Sequence, residues 1–169
     1  MKIKQNQLKT RFVLAALTLL PFAYPAMAGD EVPFQGKEVG AVISDVLPFA
    51  FPFAFDGMTA VGEATLIGHY TLSGDLVANV IFGTAVGTFT MTAANGDMLF
   101  LDAAGGVVPA DPTKIFWNYT VTGGTGRFEG ATGCFTAHIQ LAAIVGSISP
   151  NAYVAQIEGS ISTPGANKK

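Results

Sequence analysis

The sequence predicts an all-β domain, either a sandwich or a closed antiparallel barrel, and three observations carry that prediction. First, glycine is spaced too densely for helices. All 20 glycines of the 169-residue chain lie at or after Gly29, and the longest later stretch free of Gly and Pro is Cys134 to Val145. Gly costs about 1 kcal/mol and Pro about 3 kcal/mol in a helix interior, so a helical bundle is untenable. Second, the apolar residues recur with a period of two. Ile115, Trp117, Tyr119 and Val121 share one face, and Phe116, Asn118, Thr120 and Thr122 share the other. Third, turn chemistry punctuates the chain at short intervals, as at Asn95-Gly96-Asp97. Such a pattern belongs to short strands, each with one buried face.

Taken in chain order, residues 1–28 read as a removable secretory leader. Lys2, Lys4, Lys9 and Arg11 precede an apolar stretch, Phe12 to Leu20, and Ala26-Met27-Ala28 offers small residues to a signal peptidase. No stable membrane span is expected once the leader is removed. Residues 29–169 then form a single domain. Strands are expected near 37–45, 59–72, 75–83, 84–93, 97–103, 114–122, 133–146 and 152–162. Connections fall at Ser73-Gly74-Asp75, Asn95-Gly96-Asp97, Gly105-Gly106 and Ser149-Pro150-Asn151. Residues 48–55 alternate Phe with Pro or Ala, and their prolines keep them out of a central strand. They read as a hydrophobic strap across the barrel, with a pocket lid or subunit contact as the sharper alternative. The ends, Gly29 to about Gln35 and Pro164 to Lys169, are expected to be loose.

Charge narrows the function. Charged residues are 12% of the chain, about half the usual share. Without the leader, five basic residues face twelve acidic ones, a net of −7. That balance argues against nucleic acid as a partner, since no basic surplus holds phosphates. Cofactor and metal motifs are lacking: there is no phosphate loop, and no dinucleotide fingerprint in a βαβ setting. Cys134, the single cysteine, reads as a buried small hydrophobe.

The stretch Val121-Thr122-Gly123-Gly124-Thr125-Gly126-Arg127-Phe128-Glu129-Gly130-Ala131-Thr132-Gly133 is the most distinctive. Read physically, it is a Gly-rich turn with Phe128 as a core plug. It resembles the hairpin signature of the allene oxide cyclase and dirigent superfamily. Gly29-Asp30-Glu31-Val32-Pro33-Phe34 is similar to the opening segment of the plant cyclases. Gly62 to Thr71 and Thr92 to Asp97 resemble motifs of exported bacterial proteins with the same Gly-rich signature. The resemblance implies an eight-stranded antiparallel barrel with a cavity for a small hydrophobic molecule, and a homotrimer as in the plant members. It does not carry the cyclase chemistry. Gly36 stands where the family has an Asn, Ser44 falls near its catalytic Cys, and the region of its catalytic Glu is here leader.

The expected role is binding of a small hydrophobic ligand or non-catalytic scaffolding. The rivals are a cyclase- or isomerase-type enzyme using Glu63 or His138 as acid/base, and a structural envelope protein. Cavity candidates are Glu63, His69, Trp117, Tyr119, Cys134 and His138. The polar face Cys134, Thr136, His138 and Gln140 fits either the interior or the outer wall. Gly123, Gly124, Gly126, Gly130 and Gly133, with Phe128, are assigned to the structural hairpin.

Overall fold

The computed structural model describes residues 31–45 and 51–164, so the predicted leader and residues 48–50 of the Phe-rich segment lie outside it. Eight strands run in order: β1 (Val32–Asp45), β2 (Phe53–Ala64), β3 (Gly68–Asn79), β4 (Thr84–Ala93), β5 (Met98–Val108), β6 (Asp111–Gly124), β7 (Thr132–Leu141) and β8 (Asn151–Ser162). Each pairs antiparallel with the next, and β1 pairs with β8 to close the barrel. Closure leaves no free sheet edge. An eight-stranded barrel is just wide enough for side chains to fill.

How that filling is done explains the glycines. Gly62 lies opposite Tyr70, Gly40 opposite Tyr153, Gly74 opposite Phe89, Gly105 opposite Trp117, and Gly159 opposite both Phe34 and Phe135. A Cβ on Gly62 would stand 2.6 Å from the Tyr70 ring, and one on Gly40 would stand 2.7 Å from Tyr153. The rings of Tyr70, Tyr153, Phe89 and Trp117 therefore lie across the strand next door where only a glycine leaves room, and Gly159 makes way for the Phe135 Cβ. The rings also touch one another. Phe34 and Phe135 have centroids 4.8 Å apart, Phe135 and Tyr119 5.0 Å, Tyr119 and Phe89 5.4 Å, and Phe89 and Trp117 6.4 Å. This aromatic column is the axis of the core.

That arrangement corrects the expected boundaries. Ser73-Gly74-Asp75 and Gly105-Gly106 are not turns; they lie inside β3 and β5. The expected strand 59–72 is instead cut at Thr65–Ile67. There Thr65 Oγ1 accepts the Gln35 N–H at 2.9 Å and donates to the Pro33 carbonyl at 2.8 Å. These bonds, with β8 pairing from Val32, also fix Val32 to Gln35, which were expected to be loose, whereas Gly29 and Asp30 of that segment lie outside the described residues. Strand β7 stops at Leu141, five residues before the expected end at 146. Phe53 to Phe55 belong to β2, with Ala54 buried and both Phe rings exposed, so this part of the segment is no packed strap. Cys134 is exposed, because β7 turns its neighbour Phe135 inward.

The Gly-rich hairpin closes one end. A short 3-10 turn, Gly126–Phe128, tucks the Phe128 side chain into the core, and a Cβ on Gly124 would stand 2.6 Å from the Phe128 Cβ. Gly123 sits where the β5–β6 register slips, at a φ of +141, and Gly126 has a φ of +57. Both conformations favour glycine. Arg127 stacks on Phe128 at 4.8 Å and donates from Nη2 to the Ile67 carbonyl at 2.8 Å. Its ionic partner is Asp97 at 3.7 Å.

Two mutations test this packing by urea unfolding. Phe128→Ala should cost about 3–5 kcal/mol, the usual loss for a core Phe. Gly62→Ala should cost about 1–3 kcal/mol by overpacking against Tyr70. A loss under about 0.5 kcal/mol in the second would show that the ring has room to move.

Candidate functional site

The aromatic column does not reach the other end of the barrel. Above Trp117 the inward residues become smaller and aliphatic, and a cavity of about 450 Å³ opens there. Met58, Leu76, Ile115, Trp117 and Leu141 form its wall, and the β3–β4 and β7–β8 loops form its rim. The rim has defined geometry. Asn79 Oδ1 accepts the N–H groups of Ile81 and Phe82 at 3.1 and 3.2 Å, which curls the β3–β4 loop. Asn151 clamps the β7–β8 loop, donating from Nδ2 to the Ala143 carbonyl at 3.0 Å.

Trp117 is buried, and its indole N–H has no acceptor among the described residues. A buried donor without a partner costs about 1–3 kcal/mol. A ligand oxygen in the cavity is one means of satisfying it.

A polar cluster lies in the core, and none of its residues lines the cavity. Glu38 is 3% exposed. Its Oε2 accepts the Tyr70 hydroxyl at 2.8 Å and its Oε1 accepts the Tyr153 hydroxyl at 3.2 Å. Burial pushes the Glu38 carboxyl up, against the two tyrosine hydrogen bonds that favour the charged form. Burial also raises Tyr70 and Tyr153, and the neighbouring Glu38 charge adds to it. Tyr119 is raised for the same two reasons, and its hydroxyl has no hydrogen-bond partner among the described residues. The cluster is thus a neutralisable acid ringed by phenols, the kind of perturbed group found at functional sites.

The sequence-chosen residues divide by face. Trp117 and Tyr119 point inward. Glu63, His69, Cys134 and His138 stand exposed on the outer wall, away from the cavity. His69 Nδ1 lies 4.0 Å from Glu63, and His138 Nε2 lies 3.1 Å from Glu158. The strand alternation puts Phe135, Ala137 and Ile139 inside, so their polar neighbours face out. Among the described residues, no group of three His, Cys, Asp or Glu converges as a metal site. Glu38, Tyr70 and Tyr153 escaped the sequence reading, although parity with buried Phe34 places Glu38 on the inner face of β1.

The raised carboxyl has a consequence for stability. The folded chain holds the Glu38 proton above the ordinary range near pH 4.3, where the unfolded chain has released it. Glu38 should therefore make stability fall as pH rises from that range through the folded pKa. Glu38→Gln should flatten this fall in urea titrations between about pH 4 and 8. An unchanged pH slope would mean that Glu38 ionises normally in the fold.

No family model matches the chain, and no curated protein matches it in sequence. Among solved structures it is similar to a pterocarpan synthase dirigent protein, with a TM-score of 0.57 and 13% identity. The alignment covers 89% of this chain and 99% of that one. At such identity the likeness is one of architecture, and the architecture is a dirigent-like closed barrel of eight antiparallel strands.

Proposed function

We propose that this chain is an exported barrel that binds a small, mostly apolar molecule in its mouth cavity. The observation that carries the reading is the cavity itself: about 450 Å³, with walls of Met58, Leu76, Ile115 and Leu141 and a single unsatisfied donor, Trp117 Nε1. Ligand pockets combine that size and apolar lining with a few polar groups that fix orientation. The ligand that fits is an apolar ring system or chain with one acceptor oxygen. The likeness to a dirigent protein named for pterocarpan synthesis supports a scaffold of this kind. Export rests on the basic start, apolar stretch and Ala-x-Ala site of residues 1–28. A homotrimer is the assembly proposed, on the sequence resemblance.

The second reading is an isomerase- or cyclase-type enzyme, and the buried Glu38 with its two tyrosines is the observation in its favour. Glu38 replaces Glu63 and His138 as the acid/base of that reading. The two readings separate at Glu38→Gln, which should leave ligand affinity within about twofold for a binding protein and abolish turnover for an enzyme.

Native mass spectrometry of protein from its own source should reveal a bound apolar compound of a few hundred daltons. Added N-phenyl-1-naphthylamine should bind saturably and quench Trp117, the only tryptophan. Ala78→Phe, which places a ring on the cavity wall, should weaken that binding at least tenfold. No bound compound and no saturable uptake would leave the structural reading standing alone.

A further inference from the structure

The rim of the cavity is more apolar than its role as a wall requires. Phe51, Ile81, Phe82, Ile144, Val145 and Ile148 are all exposed there, Phe82 at 76% and Phe51 at 72%. They form one continuous feature. Val80 N–H donates to the Pro52 carbonyl at 2.9 Å, tying the Phe51 segment to the β3–β4 loop, and that loop shares the cavity with Ile144 and Val145. Loops 80–83 and 142–150 contain no Asp, Glu, Lys, Arg or His. Beside them, Lys114 is neutralised by Asp111 at 3.0 Å. The opposite end has the contrary character, with Glu31, Asp97, Arg127 and Glu129 in or beside its turns.

The outer wall between the two ends interleaves exposed Lys37, Asp75, Asp102 and Glu158 with exposed Val39, Val61, Val86 and Val154. A barrel that spans a bilayer has an apolar outer band instead. The apolar end is thus suited to touching a lipid surface rather than crossing it.

We infer that the mouth docks on a neutral lipid surface, with the rim side chains inserted among the lipids and the cavity opening into the acyl region. Three observations favour this occupant. The inserting residues are loop tips around an opening, which a deformable lipid phase can surround without a matching shape. Four of these residues, Ile81, Phe82, Ile144 and Val145, also line the cavity, so docking joins the apolar phase to the binding site without a water gap. The rim offers no unpaired basic side chain in its two loops, and the chain after Ala28 is acidic, so zwitterionic headgroups are preferred to anionic ones. The inference adds to the ligand-binding reading, and vesicle flotation measures docking whether or not the cavity holds a ligand.

The test is flotation of the protein expressed from Gly29 with phosphatidylcholine vesicles, and with vesicles in which half the lipid is phosphatidylglycerol. Wild type should float with the first and at least threefold less with the second. The double variant Phe82→Asp/Ile144→Asp should lose at least tenfold of the floated protein. Val61→Asp, which puts one new charge on the exposed outer wall, should leave flotation unchanged. Far-UV circular dichroism and probe uptake in the double variant keep the result independent of misfolding and of cavity function. Failure of wild type to float with phosphatidylcholine overturns the proposal, as does flotation confined to anionic vesicles. Self-association without lipid that the double variant abolishes, with no flotation, assigns the rim to a contact between copies and also overturns it.

Discussion

Filling a closed eight-stranded barrel is the constraint on which the rest of this structure depends. The strand count fixes the radius, and the interior must reach close packing within it. This chain meets the requirement with large rings laid over glycines on the adjoining strand. Tyr70 over Gly62, Tyr153 over Gly40 and Trp117 over Gly105 are the same solution at three places around the barrel. The glycines lose backbone entropy on folding and add nothing of their own to the sheet. They are retained because any Cβ there would occupy the volume of a neighbouring ring.

The site follows from where this solution ends. Below Trp117 the rings contact one another from Phe34 upward and leave no space for a guest. Above it, Leu76, Ala78, Ala85 and Leu141 are too small to meet across the barrel, and the cavity is what they leave. The packing that fills the lower half also buries Glu38. Tyr70 and Tyr153 lie flat over their glycines, and in that pose their hydroxyls meet the same carboxylate from two sides. A charged carboxylate in such surroundings is costly unless it is hydrogen-bonded or takes up a proton, and this one is placed to do both.

Position along the barrel axis separates two chemistries. One end is sealed by Phe128 and bordered by Asp97 and Arg127, and the other is open and ringed by aliphatic and aromatic loop tips. Strand alternation distributes polarity between inside and outside, but it has no means of distributing it between top and bottom. That second polarity resides in the loops, where composition is free of the sheet's period.

The all-β class and the closing hairpin are legible in the sequence because they rest on local chemistry, which also excludes a helical bundle after Gly29. Gly and Pro spacing, period-two alternation and the Asn95-Gly96 turn act within a few residues, and the Gly123–Gly133 stretch could be read as a hairpin with Phe128 as its plug. Which face points inward, and what each glycine is for, depend instead on contacts across the barrel. Gly74 and Gly105 have the local appearance of turn residues, and nothing near them in the chain indicates Phe89 or Trp117 across the sheet. Cys134 and His138 alternate as regularly as Phe135 and Ile139, and only barrel closure assigns one set to the core. Glu38 reads locally as a surface charge in a Gly-Lys-Glu segment. It became the buried acid of the barrel because pairing with β2 and β8 set its parity with Phe34 and brought two tyrosines, 32 and 115 residues away, onto its oxygens.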